Sequence, residues 1–147
     1  MKAKRGAYTL LELMIVVAMM GILLSIAVPK LSAMVHRSKE GATKTNLSGI
    51  RSALQIYFAD NEGVYPEDAL NSLTATGKYM QKIPAANIFN TFHHPASANV
   101  ETISAGETAV SDSGGWSYVS DRSDPRWGHV YINCNHPDLA GNAWSLF

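Results

Sequence analysis

The chain opens with a short basic stretch, then an apolar run, then a one-sided periodic stretch. Residues 1–7 carry Lys2, Lys4 and Arg5 and no acid. From Leu13 to Val28 no side chain is charged, and Leu, Ile, Val, Met and Ala dominate. Tyr8 to Val28 makes about 31 Å of helix at ~1.5 Å per residue, enough to cross a hydrocarbon core of roughly 30 Å. Basic residues ahead of such a run hold that end in the cytoplasm. A secretory signal has a shorter apolar region followed by a small-residue cleavage site. Here the small residues Gly6 and Ala7 precede the run, so a cut there leaves the apolar helix on the mature chain. Glu12 is the one acid near the start of the run. A carboxylate in lipid is costly and needs a partner. The plainest alternative is an uncleaved signal anchor in which Glu12 is an interfacial acid.

Past Pro29 the apolar positions become one-sided. Leu31, Met34, Val35, Ala42, Leu47, Ile50, Leu54, Tyr57 and Phe58 recur at three- and four-residue spacing, with Arg37, Lys39, Glu40, Lys44 and Arg51 mostly between them. This predicts an amphipathic helix laid on a small domain. Pro29 removes one backbone donor and is expected to kink or loosen the helix. Asp60-Asn61-Glu62-Gly63 ends it. Tyr65-Pro66 is expected to lie over the helix end with its ring on the core. Residues 67–75 suggest a short helix, and Tyr79 to Pro84 an extended piece. Residues 85–114 are poor in periodicity and read as a variable loop with one short strand near Val100–Ile103.

Alternation returns near the end. Gly115-Trp116-Ser117-Tyr118-Val119 and His129-Val130-Tyr131-Ile132-Asn133 read as two strands joined by a turn around Asp121 to Gly128, a hairpin over residues 115–133. Two strands alone are marginal. Trp116, Tyr118, Val130 and Ile132 are therefore expected to pack on the amphipathic helix. The fold class is α+β: a long N-terminal helix, half transmembrane (8–28) and half amphipathic (29–59), on a small antiparallel sheet within a globular head (60–147).

Composition narrows the function. Of 147 residues, 46% are apolar, and the formal net charge is zero. Loss of residues 1–7 removes three cations and leaves nine basic against twelve acidic side chains, a net of −3. No basic patch appears, which argues against nucleic-acid binding. Cys134 is the only cysteine, so no intrachain disulfide forms, and it reads as a small buried thiol. His93-His94, His129 and Cys134-x-His136 carry metal-capable atoms but lack a close zinc spacing such as Cys-x-x-Cys. Asp112, Asp121, Asp124 and Asp138 are oxygen donors in the C-terminal loops. No phosphate loop or Ser-His-Asp arrangement is visible, so the reading is not an enzyme and needs no cofactor. Asn46-Leu47-Ser48 fits a glycosylation sequon on a helix.

Gly6-Ala7-Tyr8-Thr9-Leu10-Leu11-Glu12-Leu13-Met14-Ile15-Val16-Val17 resembles the processing and methylation segment of type IV pilins and type II secretion pseudopilins. Members read Gly, then Phe-Thr-Leu-(Leu/Ile)-Glu, then an apolar helix. The resemblance implies a leader removed by a prepilin peptidase, which also methylates the new N-terminus. Ala7 stands between Gly6 and Tyr8, so two cleavage registers compete. A cut after Ala7 puts an aromatic first, Glu12 fifth and Pro29 twenty-second, as in the family, and is favoured. The family's preference for Gly before the cut supports Gly6. The resemblance further implies that Glu12 attracts the N-terminus of a neighbouring copy in a helical filament.

Tyr57 to Pro66 resembles the aromatic-x-x-Asp-Asn-x-x-Tyr-Pro segment of major pseudopilins, and Tyr79 to Pro84 resembles their Tyr-(Leu/Met)-x-x-(Ile/Leu)-Pro stretch. Such proteins often hold calcium in C-terminal loops, for which Asp121 and Asp124 are the candidates here. Many type IV pilins close a C-terminal loop with a disulfide, and its impossibility here shifts weight to the pseudopilin branch. The implied partners are further copies of the chain, minor pilins or pseudopilins, the peptidase, an inner-membrane assembly platform and, before assembly, lipid. The implied place is a bacterial inner membrane with the head on the periplasmic side. The expected function is a type II secretion pseudopilus subunit, or alternatively a pilus subunit for adhesion, twitching or DNA uptake. The reading from a different class is a membrane-anchored periplasmic enzyme or binding module.

Overall fold

The structure is a computed structural model that describes residues 9–88 and 94–147. Its elements are α1 (Leu10–Asp60), α2 (Asn71–Thr74), β1 (Val100–Ile103), β2 (Trp116–Val119), β3 (Val130–Ile132) and a terminal 3-10 turn, Trp144–Leu146. The chain divides into two units, residues 1–36 and 37–147.

In the first unit the described residues are Thr9 and α1 up to His36. The helix continues through Pro29, which leaves the Ser25 carbonyl without its usual i+4 donor. Every side chain from Leu10 to Val35 is exposed, including Leu10, Leu11, Leu13, Met14, Ile22, Leu23, Leu24 and Ile26.

The second unit is an α+β head. Leu47, Ile50, Ala53 and Leu54 on α1 pack with Trp116 and Tyr118 of β2 and Val130 and Ile132 of β3, as the alternation predicts. Each of these leucine, isoleucine and valine side chains, fully buried, contributes about 1.5–3 kcal/mol. The packed face starts at Glu40 and Thr43 rather than at Leu31; Leu31, Met34, Val35 and Ala42 are exposed. Periodicity marks an apolar face without saying what covers it, and here the covering loops meet α1 at Glu40 and Thr43. Glu40 Oε1 accepts the Leu139 N–H at 2.7 Å. Thr43 Oγ1 accepts the Asn87 N–H at 2.9 Å and lies 3.0 Å from the Asn87 carbonyl. The sequon residue Asn46 gives its side-chain amide to the Ala85 carbonyl.

The helix ends in a Schellman arrangement: Glu62 takes φ 54° and the Gly63 N–H reaches back to the Phe58 carbonyl at 2.9 Å. Tyr65 then stacks on Phe58 at 4.5 Å between ring centroids and meets the Trp127 edge at 5.2 Å. The short helix expected over 67–75 is reduced to α2.

The sheet has the order β1-β2-β3. β2 and β3 form the expected antiparallel pair, in register Trp116↔Ile132. β1 adds in parallel to β2, in register Val100↔Trp116, so the sheet is mixed rather than wholly antiparallel. Parallel neighbours need a crossover of roughly a dozen residues, and residues 104–115 supply it. This crossover adds a second layer: Ile103, Val110 and Val119 are buried yet lie outside the cluster that packs on α1.

Candidate functional site

The N-terminal segment combines a helix start with an unpartnered apolar surface. Gly6, Ala7 and Tyr8 lie outside the described residues. Thr9 precedes α1, and its Oγ1 accepts the Glu12 N–H at 3.2 Å. Thr9-x-x-Glu12 thus has the spacing of a capping box. A carboxylate in the first turn also faces the positive end of the helix dipole. Local physics therefore favours Glu12 at this position in a single chain, before any partner is considered. Around it, Leu10, Leu11, Leu13, Met14, Val17, Met20 and Leu24 are all exposed. An exposed apolar surface of this extent marks a membrane or protein contact. α1 contains a stretch long and apolar enough to cross a membrane.

The prokaryotic N-terminal methylation motif, a family model, matches residues 2–28. The type II secretion system core protein G of Vibrio cholerae is 27% identical over 136 residues, 77% of this chain and 92% of that protein. The fimbrial protein EcpC of Eikenella corrodens is 36% identical over 86 residues, 56% of each chain. These matches support the likeness to type IV pilins and type II secretion pseudopilins that the N-terminal residues carry. The type IV major pilin protein PilA of Myxococcus xanthus is 44% identical over 59 residues, 40% of this chain. The chain spans 27% of that pilin and 56% of the Eikenella protein. No solved structure is a significant match.

In this pilin-like head, the two acids considered for calcium are engaged by protein donors. Asp124 takes Arg126 on both oxygens, Nε at 2.9 Å and a terminal nitrogen at 2.6 Å. The guanidinium hydrogen bond holds its pKa down at about 2. Asp121 accepts the Ser123 hydroxyl at 2.7 Å, the Ser123 N–H at 2.8 Å and the Ala105 N–H at 3.1 Å. A cation at Asp124 would have to displace the guanidinium.

The fold instead gathers His94, Asp112, Cys134 and His136, whose donor atoms all lie within 4.8 Å of one another. Topology explains the meeting. Val100, Trp116 and Ile132 are aligned across the three strands. The segment before β1, the loop before β2 and the segment after β3 therefore leave the sheet at the same end. The ladder continues past the strands, with the Gly114 N–H on the Asn133 carbonyl at 2.9 Å and the Asn133 N–H on the Gly115 carbonyl at 3.1 Å.

Asn133, fully buried, shapes the loop that holds Asp112. Its side-chain Oδ1 accepts the N–H groups of Ser111 and Asp112, and its side-chain Nδ2 donates to Glu101 and Ser113. Asp112 sits at φ 65°, and its Oδ1 accepts the Asn135 N–H at 2.8 Å. Oδ1 is 3.2 Å from His94 Nε2 and 3.3 Å from His136 Nδ1. Cys134 Sγ is 3.5 Å from His136 Nδ1. Gly114, at φ 82°, leaves room for the His94 ring, whose atoms a Cβ there would meet at 3.4 Å. Burial works against the Asp112 carboxylate, but the Asn135 N–H and the two imidazoles hold its pKa below the ordinary value. Burial pushes the Cys134 thiol up to about 11.

Three of these four residues are metal-capable positions already visible in the sequence as His94 and Cys134-x-His136; Asp112 was visible only as a loop acid. Their spacing hid the grouping, because they come from three different segments of the chain, with only Cys134 and His136 sharing one. His129 lies apart, with Nδ1 3.2 Å from the Tyr131 hydroxyl. His93 is outside the described residues.

Proposed function

We propose that this chain is a structural subunit of a type IV filament, made as a membrane-anchored precursor, and that its place is a type II secretion pseudopilus. One observation carries the filament reading: an exposed apolar helix whose first turn holds a single acid, within a matched N-terminal methylation motif. A carboxylate in lipid is stabilised by a cation. Cleavage after Ala7 creates one at the Tyr8 amine, with Gly6 the competing site. Glu12 then pairs with the amine of a neighbouring copy, while the apolar faces bury one another. Pro29 loosens the helix within that bundle. The prepilin peptidase, minor subunits and an inner-membrane platform are the accompanying partners, with the head on the periplasmic side.

Support for the pseudopilus comes from the Vibrio protein, matched along 92% of its length. Type IV major pilin proteins match over shorter spans but at higher identity, which favours the second reading, a pilus subunit.

Mass spectrometry of the mature N-terminus and electron microscopy of assembled material test the filament reading. A methylated Tyr8 terminus and filaments are expected, and Glu12→Ala is expected to keep membrane insertion and lose filament yield. An intact Met1 terminus with only monomers would leave an anchored enzyme or binding module. Loss of exoprotein export on deletion supports the pseudopilus, whereas loss of surface fibres or twitching supports the pilus.

A further inference from the structure

We propose that His94, Asp112, Cys134 and His136 form a structural zinc site that staples three connections at one end of the head's sheet. The donor set is two imidazoles, a thiol sulfur and a carboxylate, a combination suited to zinc. Calcium takes six to eight oxygens and is a poor match for it. Zinc bonds of about 2.0–2.3 Å at tetrahedral angles place ligand atoms roughly 3.3–3.8 Å apart. Three of the six donor separations, 3.2, 3.3 and 3.5 Å, are already close to that cage, and all six are within 4.8 Å, so a bound metal has to draw the remaining donors in only slightly.

The supporting shell is built as well. The Asn135 N–H orients Asp112, and the buried Asn133 holds the loop on either side of it. Gly114 and Gly115 both adopt positive φ, and a Cβ on Gly115 would meet the Asn99 carbonyl oxygen at 2.5 Å, so the cradle admits no side chain there. Four protein ligands close the coordination sphere, which marks a structural rather than a catalytic site. On binding, the Cys134 S–H proton leaves to solvent and the sulfur–zinc bond takes its place. The staple joins connections that a single cysteine cannot join by a disulfide.

The test uses the untagged full chain in detergent micelles, stripped with chelator. Calorimetry with Zn²⁺ and visible absorption with Co²⁺ are the readouts. One equivalent of each metal is expected. Cobalt should show tetrahedral ligand-field bands and a thiolate charge-transfer band, and the melting temperature should rise with zinc and fall back with chelator. Cys134→Ser should abolish the charge-transfer band. His136→Ala and Asp112→Asn should weaken affinity at least about tenfold, and His129→Ala should leave it unchanged. Cys134 is fully buried, so Asp112→Asn guards against a folding artefact; Asn tolerates the left-handed backbone there. Absence of stoichiometric binding, an octahedral cobalt spectrum, displacement by Ca²⁺, or full affinity in both Asp112→Asn and His136→Ala overturns the proposal. Filament formation enters none of these readouts, so this site and the assembly reading fail independently.

Discussion

Lys44 Nζ lies 2.7 Å from Asp138 Oδ2 and ties the amphipathic half of α1 to the loop that precedes the terminal 3-10 turn. The Asp138 side chain is fully buried, and its other oxygen accepts the Ala140 and Asn142 N–H groups at 2.9 Å. The ammonium also lies 3.8 Å from the Phe147 ring centre. Lys44→Met keeps the stem and removes the charge, leaving a buried carboxylate without its cation. A loss of about 1–3 kcal/mol is expected in denaturant melts. Adding Asp138→Asn should recover part of that loss, because the two changes share one interaction.

Acid should weaken the head through Glu101. Hydrogen bonds from Ser111 and Ser113, and from Asn133, outweigh burial and hold its pKa below the ordinary glutamate value. A carboxylate with a depressed folded pKa stabilises the fold above its unfolded value, and that contribution disappears as pH falls through the folded value. Glu101→Gln is expected to be less stable than the parent at pH 7. The gap should narrow as pH falls below the ordinary glutamate range and close once the folded carboxylate is protonated, as thermal melts in chelator on a descending pH series will measure.

Ile50 and Leu31 carry similar side chains on one helix and should behave oppositely. Ile50 is completely buried, whereas Leu31 is 63% exposed. Ile50→Ala is expected to cost about 2–5 kcal/mol of head stability. Leu31→Ala should stay within roughly 0.5 kcal/mol in detergent-solubilised monomers. On the filament reading it should instead lower the yield of sedimentable polymer.

Gly128 sits at φ 83°, where a Cβ would fall 2.5 Å from two carbons of the Tyr65 ring. Gly128→Ala combines left-handed backbone strain of about 1–2 kcal/mol with overpacking of about 1–3 kcal/mol. The steric part should shrink in a Tyr65→Ala background while the backbone part remains. A double-mutant cycle read by urea unfolding separates them.

Local sequence by itself determined the N-terminal half of this protein. A run of apolar residues after three cations, one acid and a proline needs no tertiary partner to be recognised, because lipid selects on composition and length. The short apolar stretches at Trp116–Val119 and Val130–Ile132, bounded by turn residues, likewise sufficed to pair two strands and aim Trp116, Tyr118, Val130 and Ile132 at α1.

Tertiary structure alone decided the rest. The parallel addition of β1 depends on how residues 104–115 fold back over β2, and no periodicity records that path. The start of the packed face at Glu40 depends on where the loops around Asn87 and Leu139 meet α1. His94, Asp112 and Cys134 are brought to one place by strand register and not by spacing along the chain. Side chains that are distant in sequence meet only when a shared sheet end makes their connections neighbours, and that is a property of topology.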